Sequence, residues 1–409
     1  MHLRIAALIL ISAAGAAAKS FVVLQDFGIG YDALGGNWLY AGLTMDGSGN
    51  LYGAAYLGGT YNHGVVYELS PNGSGGWTET VLYDFKGTDV DQDGAGPQAA
   101  PILDSEGNLY GTTTYGGIAG KGRPTGWGVV YRLTPSGGTW QETTLYRFTG
   151  TPDGFGPLAG VTLDAAGNVY GVTSAGGTYD EGTIFELSPG ASGWTETVLH
   201  SFTGNDGGNP EGTPVWDAAG NLLGTTWGGG THNYGVVYKL SPRTGGWKLD
   251  VLYKFQGGTD GANPLAGVTL GPGGSLFGAT QAGGALNGIA YELAPNGSGG
   301  WQETILHTFQ GAATGDASLP NGLVYTHGKL FGSSGSGGTD NAGAIFEISP
   351  ASGGAWEEKV LYNFTTGRDG ATPSSSLITD GMGHLYGTTL WGGPAGTIDA
   401  GGVAFEFTP

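Results

Sequence analysis

The sequence predicts an all-β fold, a seven-bladed β-propeller built from four-stranded antiparallel blades. Two repeating motifs and the arrangement of the chain ends predict it. The first motif is the stretch 107–113, Gly-Asn-Leu-Tyr-Gly-Thr-Thr, which has six further full or degraded copies. Those copies lie at 49–53, 167–171, 220–224, 275–278, 329–332 and 384–389. A unit that returns about every 50 residues, with room for four short strands, is typical of propellers of roughly four to eight blades.

A Leu-x-x-Phe motif measures the period independently. Its phenylalanines are Phe27, Phe85, Phe148, Phe202, Phe255, Phe309 and Phe364. Subtraction of successive positions gives spacings of 58, 63, 54, 53, 54 and 55 residues. Seven markers at a nearly constant spacing predict seven blades.

Each unit divides into four predicted strands, A to D, as the third unit illustrates. Strand A is 157–164, strand B is 168–173, strand C is 182–187 and strand D is 194–202. Asp164 and Gly167 predict a tight A–B hairpin, because aspartate can bond its own backbone and glycine accepts a positive φ. Pro189 predicts the end of strand C, because proline cannot donate to a ladder.

The two ends of the chain complement each other. The last unit stops after its strand C, at 402–407, and a spare strand-like segment at 20–27 precedes the first strand A. We therefore expect 20–27 to pair with 402–407 and close the ring. Closure removes the exposed sheet edge that would otherwise favour aggregation.

Residues 1–18 predict a cleaved signal peptide. A short basic start precedes an apolar run over 5–18 of about the length of a signal-peptide core, with small residues before Lys19. We expect 19–409 to form one propeller domain that is secreted, periplasmic or held at the cell surface. The sequence contains no second apolar run, so we expect no membrane span after cleavage.

Composition argues against several function classes. The formal net charge is −20, which repels phosphate backbones and makes nucleic acid an unsuitable partner. The chain has no cysteine, and hence no disulfide, thiolate metal site or cysteine nucleophile. We expect the domain to be a monomer.

The repeat itself resembles a known family. The unit Asp-x-x-Gly-Asn-Leu-Tyr-Gly-Thr-Thr, followed by Gly-Gly and later by Gly-x-Val-Tyr-x-Leu-x-Pro, is similar to the GloVer tandem repeat of exported bacterial proteins. The copy at 104–135 matches best, and the resemblance covers 21–409. Unit 5 departs at Gly271 and Ser275, and unit 6 departs at 325–328. The resemblance implies export and a repeat fold, and it implies no established reaction.

Aromatic residues follow strand B at positions that differ from blade to blade. In an A–B–C–D meander, the B–C and D–A connections share one face of the ring, which we call the loop face. Its candidate ligand-binding residues are Tyr56, Tyr115, Trp127, Trp227 and Trp391. Blades 7, 1 and 2 become neighbours on ring closure, which would gather four of these side chains. Such rings suit sugars or protein partners, and the alternative is that they only cover the ends of the blades.

Carboxylates on the loop face suggest a metal site. The D–A loop of blade 2 contains Asp89, Asp91 and Asp93, followed by Gly94. Alternating carboxylates before a glycine resemble the start of a calcium loop, and Ca²⁺ is the cofactor that this pattern predicts. The twelfth position holds Ala100 in place of a bidentate glutamate. Because an aspartate recurs in every D–A loop, a loop-shaping turn is the favoured alternative.

These observations predict a binding or interaction module for an extracellular polysaccharide or protein. One alternative is a hydrolase or lyase that acts on a sugar-derived substrate in the central channel, and another is a structural surface or matrix scaffold. The sequence contains no Gly-x-Ser-x-Gly elbow, His-Glu-x-x-His motif or Walker loop. Glutamates recur at one position of strand C and at one of strand D, which argues for structural roles. We predict no catalytic residues.

Overall fold

The structure, a computed structural model, confirms the predicted architecture. It describes residues 19–28, 35–88, 92–120, 123–284, 286–393 and 401–409. These residues form seven four-stranded antiparallel blades arranged in a ring. The predicted signal peptide, 1–18, lies outside the described residues. Within them, no helix has the length and apolar character needed to cross a membrane.

Strands A and B form the inner half of each blade. Strand A spans Leu43–Met45, Ile102–Leu103, Thr162–Leu163, Val215–Trp216, Thr269–Leu270, Ala317–Thr326 and Ile378–Thr379 in blades 1 to 7. Strand B spans Leu51–Ala55, Leu109–Thr113, Val169–Thr173, Leu222–Thr226, Leu276–Thr280, Lys329–Gly337 and Leu385–Trp391. Strand B is almost entirely buried in every blade, which makes it the central strand of the core.

Strands C and D form the outer half. Strand C spans Val65–Pro71, Val129–Ser136, Thr183–Gly190, Val236–Arg243, Ile289–Pro295, Ala344–Pro350 and Val403–Thr408. Strand D spans Trp77–Asp84, Thr139–Arg147, Gly193–Ser201, Gly246–Lys254, Trp301–Thr308 and Trp356–Asn363, and Ser20–Asp26 supplies it to blade 7. The remaining short elements are Gly94–Ala95, Tyr115–Gly116, Gly261–Ala262, Ala282–Gly283, Ala371–Pro373, and the 3-10 turns Pro272–Gly274 and Ala312–Thr314.

The ring closes as the chain ends predict. Ser20–Asp26 pairs antiparallel with Val403–Thr408, and a bulge interrupts the register between Val23 and Gln25. The sheet order is therefore D–C–B–A in blade 7, with strand D taken from the other end of the chain.

Strand C extends further than predicted. Pro189 pairs with Trp194 of strand D, and Gly190 pairs with Gly193. Strand B ends its pairing at Leu187, so the missing N–H of Pro189 is not required by a ladder on that side.

The A–B hairpins are built around one carboxylate. In blade 3, Oδ1 of Asp164 accepts the backbone N–H groups of Ala166 and Asn168, and Oδ2 accepts Nδ2 of Asn168 at 2.8 Å. Blade 5, which lacks this aspartate, uses the 3-10 turn Pro272–Gly274 instead. Blade 6 turns on His327 and Gly328, both at positive φ.

An aromatic ring on strand C fills each blade. It lies opposite the glycine in the centre of strand B, as in the pairs Gly53–Tyr67 and Gly171–Phe185. A Cβ on Gly53 would collide with the Tyr67 ring, so only glycine leaves room for it. The same glycine–aromatic pair recurs in all seven blades.

The same ring also joins neighbouring blades. Each Leu-x-x-Phe phenylalanine packs against the strand C ring of the next blade. The ring centroids are 4.8–5.5 Å apart for Phe27–Tyr67, Phe85–Tyr131, Phe148–Phe185, Phe202–Tyr238, Phe255–Tyr291, Phe309–Phe346 and Phe364–Phe405. The periodic phenylalanines are thus the interfaces between blades, and Phe27 completes the set at the closure.

The Gly-Thr-Thr end of the strand B motif has two separate functions. In blade 2, Oγ1 of Thr112 donates to the carbonyl of Ala159 in blade 3 at 2.7 Å, which ties strand B to the next strand A. Oγ1 of Thr113 donates to the carbonyl of Tyr115 at 2.7 Å, which bends the chain into its own loop. Blade 7 repeats both bonds with Thr388 and Thr389.

Substitution of the strand B glycine should destabilise the domain. We expect Gly53→Ala to lower the free energy of unfolding by about 1–3 kcal/mol, because the methyl group overpacks against Tyr67. Gly47→Ala is the matched control in the same blade, since nothing lies within 4 Å of its Cβ position. Denaturant unfolding monitored by circular dichroism measures both. Equal effects of the two substitutions would contradict the packing argument.

Candidate binding site

Five aromatic side chains from blades 7, 1 and 2 meet on the loop face. Trp38 is the centre of the group: its ring lies edge to face with Trp391 at 5.5 Å and nearly parallel to Tyr56 at 6.2 Å. Tyr40 contacts Tyr56 edge to face at 5.4 Å. Tyr115 extends the group into blade 2. We call Trp38, Tyr40, Tyr56, Tyr115 and Trp391 the aromatic patch.

Tyr56 and Tyr115 are coupled through their hydroxyl groups. Burial, together with the charge of Tyr115 and a hydrogen bond to it, raises the pKa of Tyr56 to about 12. Gly96 lies beside both rings, since a Cβ there would be 2.8 Å from Cε2 of Tyr56 and 3.3 Å from Cδ2 of Tyr115. All five members of the patch are half-buried, so each keeps some surface for a ligand.

Trp38 occupies a backbone position that disfavours large side chains. We call the stretch that leads into and includes strand A the inner segment; it starts at a proline in blades 2 to 7 and at Leu39 in blade 1. The residue directly before this start has a positive φ in every blade. These residues are Trp38 (φ 58°), Gly96 (64°), Gly156 (62°), Asn209 (51°), Asn263 (57°), Leu319 (54°) and Thr372 (55°). Glycine and asparagine tolerate this conformation, whereas a tryptophan there costs about 1 kcal/mol or more. Backbone hydrogen bonds hold the strained residue: Trp38 donates to Gly401 and accepts from Tyr56.

The structure brings three of the five predicted aromatic residues together. Trp127 makes its ring contacts at the boundary of blades 2 and 3, edge to face with Phe155 at 5.2 Å and under the guanidinium of Arg123. Trp227 lies in blade 4, away from the patch, with 39% of its surface exposed. Sequence reasoning missed Trp38 and Tyr40. In the other six blades a proline marks the approach to strand A, and blade 1 has no proline at that position, so the two residues were not aligned with a loop.

The patch borders the central channel. A cavity of about 620 Å³ runs between the seven inner segments, and Tyr40 lines it as well as belonging to the patch. That volume is in the range of small-molecule sites. Glu211 is the only charged side chain in the described lining.

The D–A loop aspartates shape their loops, as the favoured alternative predicts. In six blades the aspartate bonds a tyrosine or histidine of strand D. The pairs are Tyr83–Asp93 (2.8 Å), Tyr146–Asp153 (2.9 Å), His200–Asp206 (3.1 Å), Tyr253–Asp260 (3.1 Å), His307–Asp316 (3.0 Å) and Tyr362–Asp369 (3.1 Å). The carboxylate also accepts the backbone N–H that follows the Leu-x-x-Phe phenylalanine. The histidines of strand D thus replace tyrosine as hydrogen-bonding groups.

The predicted calcium site is only partly within the described residues. Asp89 and Asp91 lie outside them. Asp93 is 1% exposed and its oxygens accept the hydroxyl of Tyr83 and the backbone N–H of Lys86. A carboxylate so engaged has little capacity left for a cation. Calcium binding by this loop therefore stays a prediction that depends on Asp89 and Asp91.

Two substitutions distinguish calcium binding by this loop from the structural role of its aspartate. We expect Asp93→Ala to lower the melting temperature with and without calcium, because it removes the bonds to Tyr83 and Lys86. We expect Asp91→Ala to abolish a calcium-dependent rise in the melting temperature, because a ligand bound only by the folded state stabilises it. Thermal melts in calcium and in EDTA measure both. A wild-type melt that calcium does not move would end the calcium hypothesis.

Glutamates of strand D approach these aspartate pairs from the next blade. In one case the hydroxyl of Tyr253 lies 3.1 Å from Asp260 and 3.2 Å from Glu303. At the boundary of blades 5 and 6, histidine replaces the tyrosine, and ligand atoms of His307, Asp316 and Glu358 lie within 4.8 Å of one another. The neighbouring blades build the same contact with tyrosine, so the fold accounts for this cluster without a metal ion.

Burial disfavours the charged form of four of these glutamates. It raises the pKa of four of them to about 7, and in each the Oε1 atom is buried without a hydrogen-bond partner among the described residues. The four are Glu79, Glu196, Glu303 and Glu358. Asp46 in the A–B turn of blade 1 behaves oppositely: although burial alone would raise its pKa, hydrogen bonds from Asn50 and Ser48 lower the pKa of this carboxyl.

Stability should therefore fall as pH rises through neutrality. The four glutamates have a higher pKa in the folded than in the unfolded state, so folding takes up protons. We expect the free energy of unfolding to decrease from about pH 5 to about pH 7.5, where these groups lose their protons. Urea unfolding across that range measures the decrease. Replacement of all four by glutamine should flatten the profile, whereas Glu106→Gln at an exposed turn should leave it unchanged.

Similarity to solved structures is limited to the fold. A putative oxidoreductase (glucose dehydrogenase) from Thermus thermophilus is 14% identical, with a TM-score of 0.46 over 95% of this chain and 100% of that chain. A protein of unknown function from Dyadobacter fermentans is 14% identical, with a TM-score of 0.45 over 83% and 97%. A puromycin hydrolase mutant is 12% identical, with a TM-score of 0.50 over 90% and 52%.

Sequence comparison is more specific. No curated protein matches the chain. A family model described as the Gloeobacter/Verrucomicrobia repeat matches residues 92–288 and 163–405. These overlapping matches span more than half of the 409 residues and confirm the resemblance that the repeat motif carries. The chain therefore belongs to the Gloeobacter/Verrucomicrobia repeat family.

Proposed function

We propose that this propeller is an exported binding module that holds an extracellular glycan on the aromatic patch. The observation that carries the proposal is the convergence of five half-buried aromatic side chains from three blades beside an open channel. Aromatic faces match the apolar C–H faces of sugar rings, and the tyrosine hydroxyl groups can bond sugar hydroxyls. The leader-like segment at 1–18 supports export.

The strained backbone of Trp38 coincides with the centre of the aromatic patch. Glycine or asparagine, which tolerate this conformation better, fills the same backbone position in four other blades, and Leu319 and Thr372 fill it in blades 6 and 7. A residue that keeps an unfavourable conformation at the centre of a surface cluster is more readily explained by binding than by folding. Trp38, which has this unfavourable backbone conformation, is the residue whose ring contacts both Tyr56 and Trp391.

The asymmetry of the loop face favours binding over a purely structural scaffold. The A–B turns on the opposite face repeat one carboxylate-centred geometry in blades 1, 2, 3, 4 and 7. On the loop face, aromatic side chains from blades 7, 1 and 2 pack into one patch, whereas Tyr179, Trp227 and Tyr234 lie outside it in blades 3 and 4. A scaffold that stacks through equivalent blades has no need of such a difference.

The hydrolase alternative has weaker support. Glycoside hydrolysis usually requires two carboxyl groups on either side of the scissile bond. The described lining of the channel offers one, Glu211. A protein ligand remains the other candidate for the patch, since buried aromatic anchors also serve protein interfaces.

Removal of a patch side chain should weaken glycan binding. We expect Trp391→Ala to raise the dissociation constant for a bound soluble glycan at least about 10-fold, or about 1.4 kcal/mol. Trp227→Ala is the matched control, because it removes an exposed tryptophan from the same face outside the patch. A thermal-shift screen of soluble glycans identifies the ligand, and isothermal titration measures the affinities.

Two results would contradict this proposal. Equal losses in Trp391→Ala and Trp227→Ala would show that the patch is not the contact surface. The second is a full glycan screen with no binding, together with capture of a protein partner that is lost in Trp391→Ala. That result would show that the patch binds a protein instead of a glycan.

A further inference from the structure

The mouth of the channel is ringed by one residue from each blade. Each is the second residue of its inner segment, directly after the proline that starts the segment, or after Leu39 in blade 1. The ring consists of Tyr40, Gln98, Leu158, Glu211, Leu265, Asn321 and Ser374, and all seven line the cavity. One carboxylate therefore stands among six uncharged side chains, between the leucines of blades 3 and 5.

Glu211 makes no side-chain hydrogen bond or ion pair among the described residues, unlike Gln98, Asn321 and Ser374 of the ring. Gln98 donates to Thr114 at 2.8 Å, Asn321 donates to Ser333 at 3.1 Å, and Ser374 donates to the carbonyl of Leu39 at 2.6 Å. Leu158 and Leu265 offer Glu211 no side-chain donor. Burial raises the pKa of the Glu211 carboxyl, as expected for a carboxylate without compensation.

The fold does not explain the side chain of Glu211. Its neighbours make the structural contacts: Pro210 packs on Gly182 of blade 3, and Gly212 allows the close approach of Gly267. The glutamates between blades recur in several repeats, whereas no other blade places an acid at the Glu211 position. Glu211 is half-buried, and an unpaired and unrepeated carboxylate in a cavity indicates a ligand.

The charge and the lining define the ligand class. A divalent cation requires several oxygen ligands, and the described lining supplies only one carboxylate. An ammonium group carries a single charge and three donors, which suits one carboxylate. The opposite part of the ring, with Tyr40, Gln98 and Ser374, presents hydroxyl and amide groups that suit a hydroxylated ligand.

We propose that the channel mouth binds a hydroxylated primary amine, such as an amino sugar, with its ammonium group paired to Glu211. This site shares Tyr40 with the aromatic patch, and it does not require the patch to bind a glycan. The ammonium group would give Glu211 the partner that it lacks, through a charge-assisted hydrogen bond, which is stronger than a neutral one.

Four small probes test the ligand class by isothermal titration at physiological salt. Glucosamine carries both features, glucose lacks the amine, N-acetylglucosamine lacks the charge and butylamine lacks the hydroxyl groups. We expect glucosamine to bind at least about 10-fold more tightly than each of the other three. Equal binding of N-acetylglucosamine or glucose would overturn the role of the charge, and equal binding of butylamine would overturn the role of the hydroxyl groups.

Four variants test the role of Glu211 and its independence from the aromatic patch. Glu211→Gln and Glu211→Ala should each lose glucosamine binding by at least about 10-fold while keeping a cooperative melt. Glu106→Gln removes the same charge from an exposed turn and should bind as the wild type does. Loss of binding in Glu106→Gln would assign the attraction to the overall charge of −20 and overturn the proposal. Trp391→Ala should keep glucosamine binding, which separates this site from the patch.

Discussion

The propeller depends on one aromatic ring per blade that is held from two sides. On one side lies the glycine of strand B, which has no side chain to block the ring. On the other lies the phenylalanine of the preceding blade, at a centroid distance of 4.8–5.5 Å in all seven interfaces. The aromatic side chain therefore fixes both the packing within a blade and the contact between blades. Because the N-terminal strand supplies Phe27, closure of the propeller uses the same contact as every other interface.

Much of this framework was predictable because it repeats. The spacing of the phenylalanines predicts the number of blades, and the complementary chain ends predict the pairing of Ser20–Asp26 with Val403–Thr408. The sequence also shows a recurring aspartate in the D–A loops and a recurring tyrosine or histidine in strand D. That these two positions bond each other was not predictable, because the partners lie at opposite ends of a loop of variable length.

The candidate sites were harder to predict because they do not repeat. Tyr56, Tyr115 and Trp391 follow a recognisable strand B and were found by comparison of the blades. Trp38 and Tyr40 were missed, since strand A of blade 1 lacks the proline that marks its start elsewhere. Trp127 was expected near the patch, but its insertion directs it to Phe155 instead. A propeller tolerates such departures because surface loops accept substitutions and insertions more readily than the strands that they connect.

The two departures from symmetry at the channel mouth are placed on opposite sides of it. Tyr40 belongs to blade 1 and Glu211 to blade 4, so two blades lie between them in one direction and three in the other. The aromatic patch thus adjoins one side of the mouth, and the single carboxylate faces it across the cavity. Between them the ring offers amides, a hydroxyl and two leucines, which together resemble the mixed polar and apolar lining of small-molecule sites. A ligand that spans the mouth would meet aromatic faces at one end and a negative charge at the other. That polarity would orient the ligand that we propose for the channel mouth.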